Sequence, residues 1–180
     1  MKTRLPGLLI AVLLSGCATA PGSGSATLGA QGRLVLKETL TIPPNAASVR
    51  LQYGRIVPTN ATQEQDPFCV FEINTVAAGE QTVRPGSFAI TGVVHSIETF
   101  AGMPVSPYYK VSRVALGDDS GGPSNIYYKT TYRLRDDTQG ARSLTCMSNQ
   151  YMPGVSIMRH LTQAEIRQAL GGLFTLEFPA

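Results

Sequence analysis

The sequence has few of the residues that most catalytic and metal sites require. Its 180 residues include two histidines, three cysteines and no tryptophan. There is no CxxC pair, and His95 and His160 stand alone without a further ligand at the spacing of a zinc site. The acidic pairs at 118–119 and 136–137 lack the alternating oxygen ligands of a calcium loop. We therefore predict no metal, no cofactor and no catalytic residue, and expect both histidines to be ordinary packed or exposed side chains.

Charged residues are also scarce, at 15% of the chain, and they form no run of lysine or arginine. The net charge of +3 includes Lys2 and Arg4 near the start; without these two, 13 basic residues stand against 12 acidic ones. Such a balance offers no electrostatic surface for nucleic acid, so we expect no partner of that class. The hydrophobic content of 43% excludes a disordered polyelectrolyte and suits a compact domain.

The apolar run at 8–14 is too short to span a bilayer, and it follows the positive residues Lys2 and Arg4. This order is typical of a signal peptide. The run ends in Leu14-Ser15-Gly16-Cys17, which resembles the lipobox of bacterial lipoproteins. The resemblance implies a leader over 1–16, cleavage before Cys17 and attachment of a diacylglycerol to its thiol. The alternative is an ordinary secretory leader that happens to end in cysteine.

The residues after the cysteine predict where the protein resides. Ala18 stands where an aspartate would favour retention in the inner membrane, so the lipoprotein resemblance implies an outer-membrane anchor with the domain facing the periplasm. Small and polar residues without apolar periodicity make 17–32 a flexible tether. The rest of the chain, 33–180, is long enough for one globular domain.

Period-two alternation of apolar residues dominates this domain and predicts short strands separated by Gly, Pro, Asn and Asp turns. Crossover helices for a parallel sheet are missing from the pattern, so we expect an all-β fold, mainly an antiparallel sandwich or a partly open barrel. The predicted strands are 34–42, 49–53, 68–75, 87–94, 109–116, 126–134, 143–149 and 174–178.

One short helix is predicted near the C-terminus, at about 162–171. Thr162 and Glu165 have the spacing of a capping box, in which each side chain bonds the other residue's backbone N–H. Leu161 and Ile166 are placed for a hydrophobic staple across the cap, and Gly171 suits the C-terminal turn.

Two cysteines remain beyond Cys17, and both lie in β-like segments with their thiols on apolar faces. An exported domain meets an oxidising compartment. We therefore predict a structural disulfide between Cys69 and Cys146.

The segment 117–123 contains Asp-Ser-Gly-Gly-Pro, which resembles the sequence around the nucleophilic serine of chymotrypsin-like proteases. In that family Ser120 would need a histidine and a buried carboxylate, contributed by two barrels. The upstream histidine, His95, lacks the family's surrounding residues, and the domain is short for two barrels. We interpret the segment as a surface loop.

Paired tyrosines at 108–109 and 127–128 are the other candidates for a binding face, since tyrosine is common at interfaces. Neighbours in a strand point to opposite sides, so half of these rings are expected to be core.

The blocks 68–72, 84–88, 144–146 and 161–167 resemble those of small proteobacterial lipoproteins that have no assigned activity. With a lipid anchor, a tether and no reactive group of residues, we predict a non-enzymatic envelope lipoprotein that contacts an envelope protein or the cell wall. One alternative is a periplasmic carrier of a small apolar ligand, which would need a cavity between the strands. A third is a serine hydrolase that uses Ser120.

Overall fold

The computed structural model describes residues 27–28, 32–100, 125–150 and 158–179. They form eleven strands, one α-helix and one short 3-10 helix, so the prediction of an all-β domain with one C-terminal helix is confirmed. The elements are β1 (Thr27–Leu28), β2 (Gly32–Leu36), β3 (Leu40–Ile42), β4 (Ser48–Gln52), β5 (Arg55–Val57), a 3-10 turn (Thr59–Ala61), β6 (Phe68–Ile73), β7 (Gln81–Val83), β8 (Gly86–Phe100), β9 (Asn125–Arg135), β10 (Ala141–Met147), α1 (Gln163–Leu170) and β11 (Phe174–Glu177).

Several predicted features lie outside the described residues. They are the leader over 1–16, the lipidation site Cys17, most of the tether, the strand at 109–116, the paired tyrosines at 108–109 and the Ser120 loop.

The strands form a single curled antiparallel sheet, half of a barrel, in the order β11-β2-β8-β9-β10-β6-β4-β5. The short β1 also pairs with β8, beyond the end of β2. A separate two-stranded ribbon joins β3 to β7. Of the two predicted architectures, the partly open barrel is therefore the one found.

The predicted strand over 34–42 is wrong as one element, because it is two strands of different sheets. Glu38, the polar residue that interrupts its alternation, lies in the break between β2 and β3. The Lys37 amide donates there to the Leu173 carbonyl at 2.8 Å, so the chain leaves the main sheet beside the end of the helix. The strand predicted at 87–94 continues much further, to the end of β8.

The hydrophobic core lies between the concave face of the sheet and α1. The ring of Phe71 packs between Phe88 and Phe174, with centroid distances of 5.9 and 5.1 Å. From the helix, Ile166 and Leu170 are buried against β4, β6 and β11. Each large apolar side chain buried in this way stabilises the fold by about 1.5–3 kcal/mol. This packing fills the part of the concave face beneath the helix.

Both ends of the helix follow the predicted signals. Thr162 is the N-cap, and the reciprocal bonds of the capping box with Glu165 are present. At the other end Gly171 has φ +55° and its amide donates to the Arg167 carbonyl. Within the described residues, no helix is long and apolar enough to cross a membrane.

Gly171 also touches the turn between β4 and β5. This turn has two residues, Tyr53 and Gly54, both at positive φ, as a tight hairpin requires. The Gly54 amide donates to the Ala169 carbonyl at 3.0 Å. A Cβ atom on Gly171 would lie 2.2 Å from the Gly54 Cα, so two glycines allow the helix end to rest on the hairpin.

The predicted disulfide between Cys69 and Cys146 is present. The two residues are direct partners across β6 and β10, and both are fully buried. The bridge therefore joins adjacent strands in the middle of the sheet.

Candidate functional site

A polar row crosses the concave face away from the helix. His95 on β8 lies opposite Thr130 on β9, and Thr130 lies opposite Cys146 on β10. Thr130 is 3% exposed and points to the same side of β9 as the buried ring of Tyr132. The row thus leads from an imidazole through a buried hydroxyl to the disulfide.

His160, from the segment before α1, stacks on His95. Their ring centroids are 4.4 Å apart and their planes differ by 21°. Tyr128 meets the His160 ring edge-on at 5.5 Å. The two histidines that looked unrelated in the sequence therefore form one feature, the histidine pair (His95 and His160).

The chain on both sides of His160 is held in place. The Gln150 amide group, 6% exposed, accepts from the Arg159 backbone N–H at 2.9 Å and donates to the Arg159 carbonyl. The Arg159 guanidinium donates to both oxygens of Glu165, at 2.8 and 2.9 Å. Because Glu165 is part of the helix cap, His160 is fixed between a buried amide and the start of α1.

The environment of His160 disfavours a positive charge on its ring. Burial lowers the pKa of His160, the charge of His95 lowers it further, and the Lys129 backbone carbonyl partly opposes both. Nearby carboxylates have other partners. Glu98 binds Lys129 on the outer face, and Glu165 binds Arg159, whose hydrogen bonds lower the Glu165 pKa to about 2. Neither histidine forms a salt bridge with a carboxylate of the described residues.

Two side-chain atoms here are buried without a hydrogen-bond partner in the described structure, Thr130 Oγ1 and His160 Nδ1. The rim beside them is apolar, since Ile97 is 56% exposed and Met158 is 48% exposed. Ile97 lies opposite Tyr128 across β8 and β9, and the Tyr128 hydroxyl is 3.6 Å from the Met158 sulfur. We call these six residues the concave patch (His95, His160, Thr130, Ile97, Tyr128 and Met158).

No known protein family, curated protein or solved structure matches this chain.

The outer face of the sheet carries the second candidate site. We call it the arginine face (Thr91, Thr131, Arg133, Arg142 and Thr145), and these residues line a shallow depression of about 500 Å³ together with Glu72, Leu134 and Ser143. Glu72 accepts a hydrogen bond from the Ser143 hydroxyl at 2.6 Å. In the described part of the chain, Arg133 and Arg142 form no ion pair. The depression therefore presents two unpaired guanidinium groups among hydroxyls.

Two further candidates from the sequence that the structure describes, Tyr127 and Asp136, have structural roles. Tyr127 and Tyr128 point to opposite faces, as expected of neighbours in a strand. Tyr127 donates to Glu64, and burial followed by this bond raises its pKa. The Asp136 carboxylate accepts three backbone N–H groups and one hydroxyl in the turn between β9 and β10, which explains its place there without a bound ion.

Local sequence signals do not identify either site. His95 and His160 belong to separate segments and meet only because β8 and the chain before α1 converge on one face. Arg133 and Arg142 alternate with core residues as any outer-face residue does. What can be read from the sequence is the capping box, which includes the Glu165 that holds Arg159.

Proposed function

We propose that this protein is a non-enzymatic lipoprotein of the cell envelope, anchored in the outer membrane through a lipid on Cys17, with its β domain in the periplasm. The lipobox Leu14-Ser15-Gly16-Cys17 supports the anchor. The domain would serve as an interaction module that contacts the cell wall. The observation that carries this second part is the arginine face.

The arginine face suits an anionic, hydroxyl-rich partner. Arg133 and Arg142 have planar groups that bind carboxylates in a bidentate way. The threonine hydroxyls between them both donate and accept hydrogen bonds. Because the strands beneath are paired on both sides in the middle of the sheet, these groups are displayed on a rigid surface.

A polymer with carboxylates fits this face better than a protein does. Protein interfaces usually depend on a few buried aromatic or arginine anchors set in pockets. Among the described residues the lining of the arginine face has no aromatic side chain, and its two arginines stand in a shallow depression among hydroxyls, which suit sugars and peptide stems. The cell wall offers both, in a glycan whose peptides carry free carboxylates.

The test is cosedimentation of the full-length lipidated protein, in mild detergent, with purified cell-wall sacculi. We expect the protein to sediment with the sacculi, and less of it to do so as salt rises, because exposed charges are screened. The double substitution Arg133→Ala/Arg142→Ala should lower the bound fraction several-fold. Arg55→Ala, at an exposed arginine of β5, is the matched control and should bind like the wild type.

Two outcomes would count against the proposal. Equal sedimentation of the double variant and the wild type would remove the arginine face as the contact. Failure of the wild type to sediment would remove the cell wall and direct the search to an envelope protein, by affinity capture with Cys17→Ser as the control.

A further inference from the structure

The concave patch contains two buried polar atoms that need partners, and they lie close together. Buried polar side-chain atoms in folded proteins nearly always have a hydrogen-bond partner. Thr130 Oγ1 and His160 Nδ1 have none in the described structure, and His95 touches both residues, as the strand neighbour of one and the stacking partner of the other. Their coincidence at one place points to a ligand rather than to two separate defects.

The geometry of the pair does not suit a shared metal ion. The lone pairs of an imidazole lie in the plane of its ring, whereas these rings face each other at 4.4 Å. Among the residues that the structure describes, no group of three His, Cys, Asp or Glu side chains is placed to hold an ion. A partner that accepts or donates hydrogen bonds fits the stacked rings better.

The patch lacks a negative charge. Two imidazoles and a hydroxyl meet there, and among the described residues the neighbouring Glu98 and Glu165 are bound to Lys129 and Arg159. A carboxylate would accept a hydrogen bond from the Thr130 hydroxyl and another from a histidine N–H, and it would neutralise a proton gained by the pair.

The rim of the patch indicates the rest of the ligand. Ile97 and Met158 are among the most exposed large apolar side chains of the described residues. Both neighbour Tyr128, Ile97 as its partner across β8 and β9 and Met158 through the Tyr128 hydroxyl. A polar head against the histidine pair thus implies an apolar body against this rim, as in most small-molecule sites.

We infer that the concave patch binds a small organic carboxylate. Its oxygens accept from Thr130 and the histidine pair, and its apolar body lies against Ile97, Tyr128 and Met158. This site is on the opposite face of the sheet from the arginine face, so the inference does not depend on contact with the cell wall.

Binding at this site is coupled to protons. A bound carboxylate favours the charged form of histidine, so the complex takes up a proton. The affinity for the carboxylate therefore rises as pH falls through the range in which histidine side chains titrate. Among the described residues, the other ionisable groups around the pair are Tyr128 on β9, the Lys129–Glu98 pair on the outer face and the Arg159–Glu165 pair at the start of α1. Each charged group of these two pairs is bound to an opposite charge, so we assign the linked proton to the histidines.

The test uses benzoate as the probe and benzyl alcohol as its neutral counterpart, because both are soluble and enter bilayers weakly. The full-length lipidated protein in nanodiscs is titrated with each, and the histidine ring signals are followed by NMR at about pH 5.5 and 7.5. We expect benzoate to shift the signals of both histidines and to bind up to about tenfold more tightly per pH unit for one linked proton.

Thr130→Val distinguishes a ligand-binding role of the Thr130 hydroxyl from a purely structural role. The isosteric change removes the hydroxyl, so benzoate binding should weaken at least several-fold while the ligand-free protein becomes no less stable to urea, because the lost group had no partner. Thr82→Val, at an exposed threonine of the separate β3–β7 ribbon, is the matched control and should leave benzoate binding unchanged.

Three results would overturn the inference. Equal binding of benzyl alcohol would show that the carboxylate is not recognised. Unchanged histidine signals at both pH values would show that water alone satisfies the patch. Loss of stability in Thr130→Val without loss of benzoate binding would give the hydroxyl a structural role.

Discussion

At the scale of single residues, Gly171 and Gly54 make a close backbone contact. A methyl group on Gly171 would overlap the Gly54 backbone, and the φ of +55° disfavours any side chain there. We expect Gly171→Ala to destabilise the domain by at least about 2 kcal/mol, from overlap and backbone strain together. Urea unfolding followed by circular dichroism measures this.

Gly172 is the matched control for that measurement. A Cβ atom at this neighbouring position has no atom within 4 Å, so Gly172→Ala should change the free energy of unfolding by no more than about 0.5 kcal/mol. Similar effects of the two substitutions would mean that the helix does not rest on the hairpin as closely as described.

Residues with a local signature were predictable and the others were not. Thr162 and Glu165 form a cap within one helical turn, and Cys69 and Cys146 were the remaining cysteines of a chain predicted to be exported. His95 and His160 have no such signature, because their contact depends on the fold around them. The sequence interpretation of both as ordinary side chains therefore missed their pairing.

At the scale of elements, the cap of α1 has a pH dependence that can be measured. The hydrogen bonds from Arg159 hold the pKa of Glu165 at about 2, below its ordinary value of 4.5. The stability that this group contributes is therefore present above about pH 4.5 and is lost as pH falls towards 2.

Glu165→Gln tests this contribution, since it removes the charge and keeps the shape. The variant should be less stable than the wild type at neutral pH, and the difference should shrink as the solution is acidified. Glu177→Gln is the comparison, because the Glu177–Arg33 pair is exposed and such pairs contribute little. If the difference in unfolding free energy between Glu165→Gln and the wild type stays constant with pH, the carboxylate acts through its shape alone.

Strands were predicted correctly where the local alternation of residues sets their bounds. They were predicted wrongly where the bounds depend on which strand pairs with them. The alternation at 68–75 and 126–134 corresponds to β6 and β9. The segment 34–42 has the same kind of alternation but forms two strands, because β3 pairs with β7 instead of continuing in the main sheet. Alternation specifies a face of a strand, but it does not specify which strand lies beside it.

At the scale of the whole molecule, the anchor can be tested directly. Cells expressing the wild type should incorporate labelled palmitate into the protein, and the protein should separate with membranes. Cys17→Ser should abolish the labelling, since under the proposed anchoring the Cys17 thiol is the group that accepts the lipid. Cys69→Ser is the comparison, because Cys69 is buried in the disulfide and should leave labelling intact. Continued labelling of Cys17→Ser would contradict the lipobox interpretation.

The fold class was predictable at this scale, whereas the strand order was not. Short alternating segments separated by turn residues are compatible with a sandwich and with an open barrel alike. The half-barrel results from pairings between distant segments, such as β2 with β11 and β6 with both β4 and β10. These pairings depend on the packing of the complete core around Phe71 and Phe88.

The cross-strand disulfide also has a consequence for how the chain matures. Under the proposed export, three thiols would allow three possible pairings in the new chain, and two of those pairings would involve Cys17. Attachment of lipid to Cys17 would leave Cys69 and Cys146 as the sole remaining pair. Under the proposed anchoring, acylation therefore prevents non-native disulfides. A chain that is lipidated before it is oxidised can form one disulfide, and that is the native one.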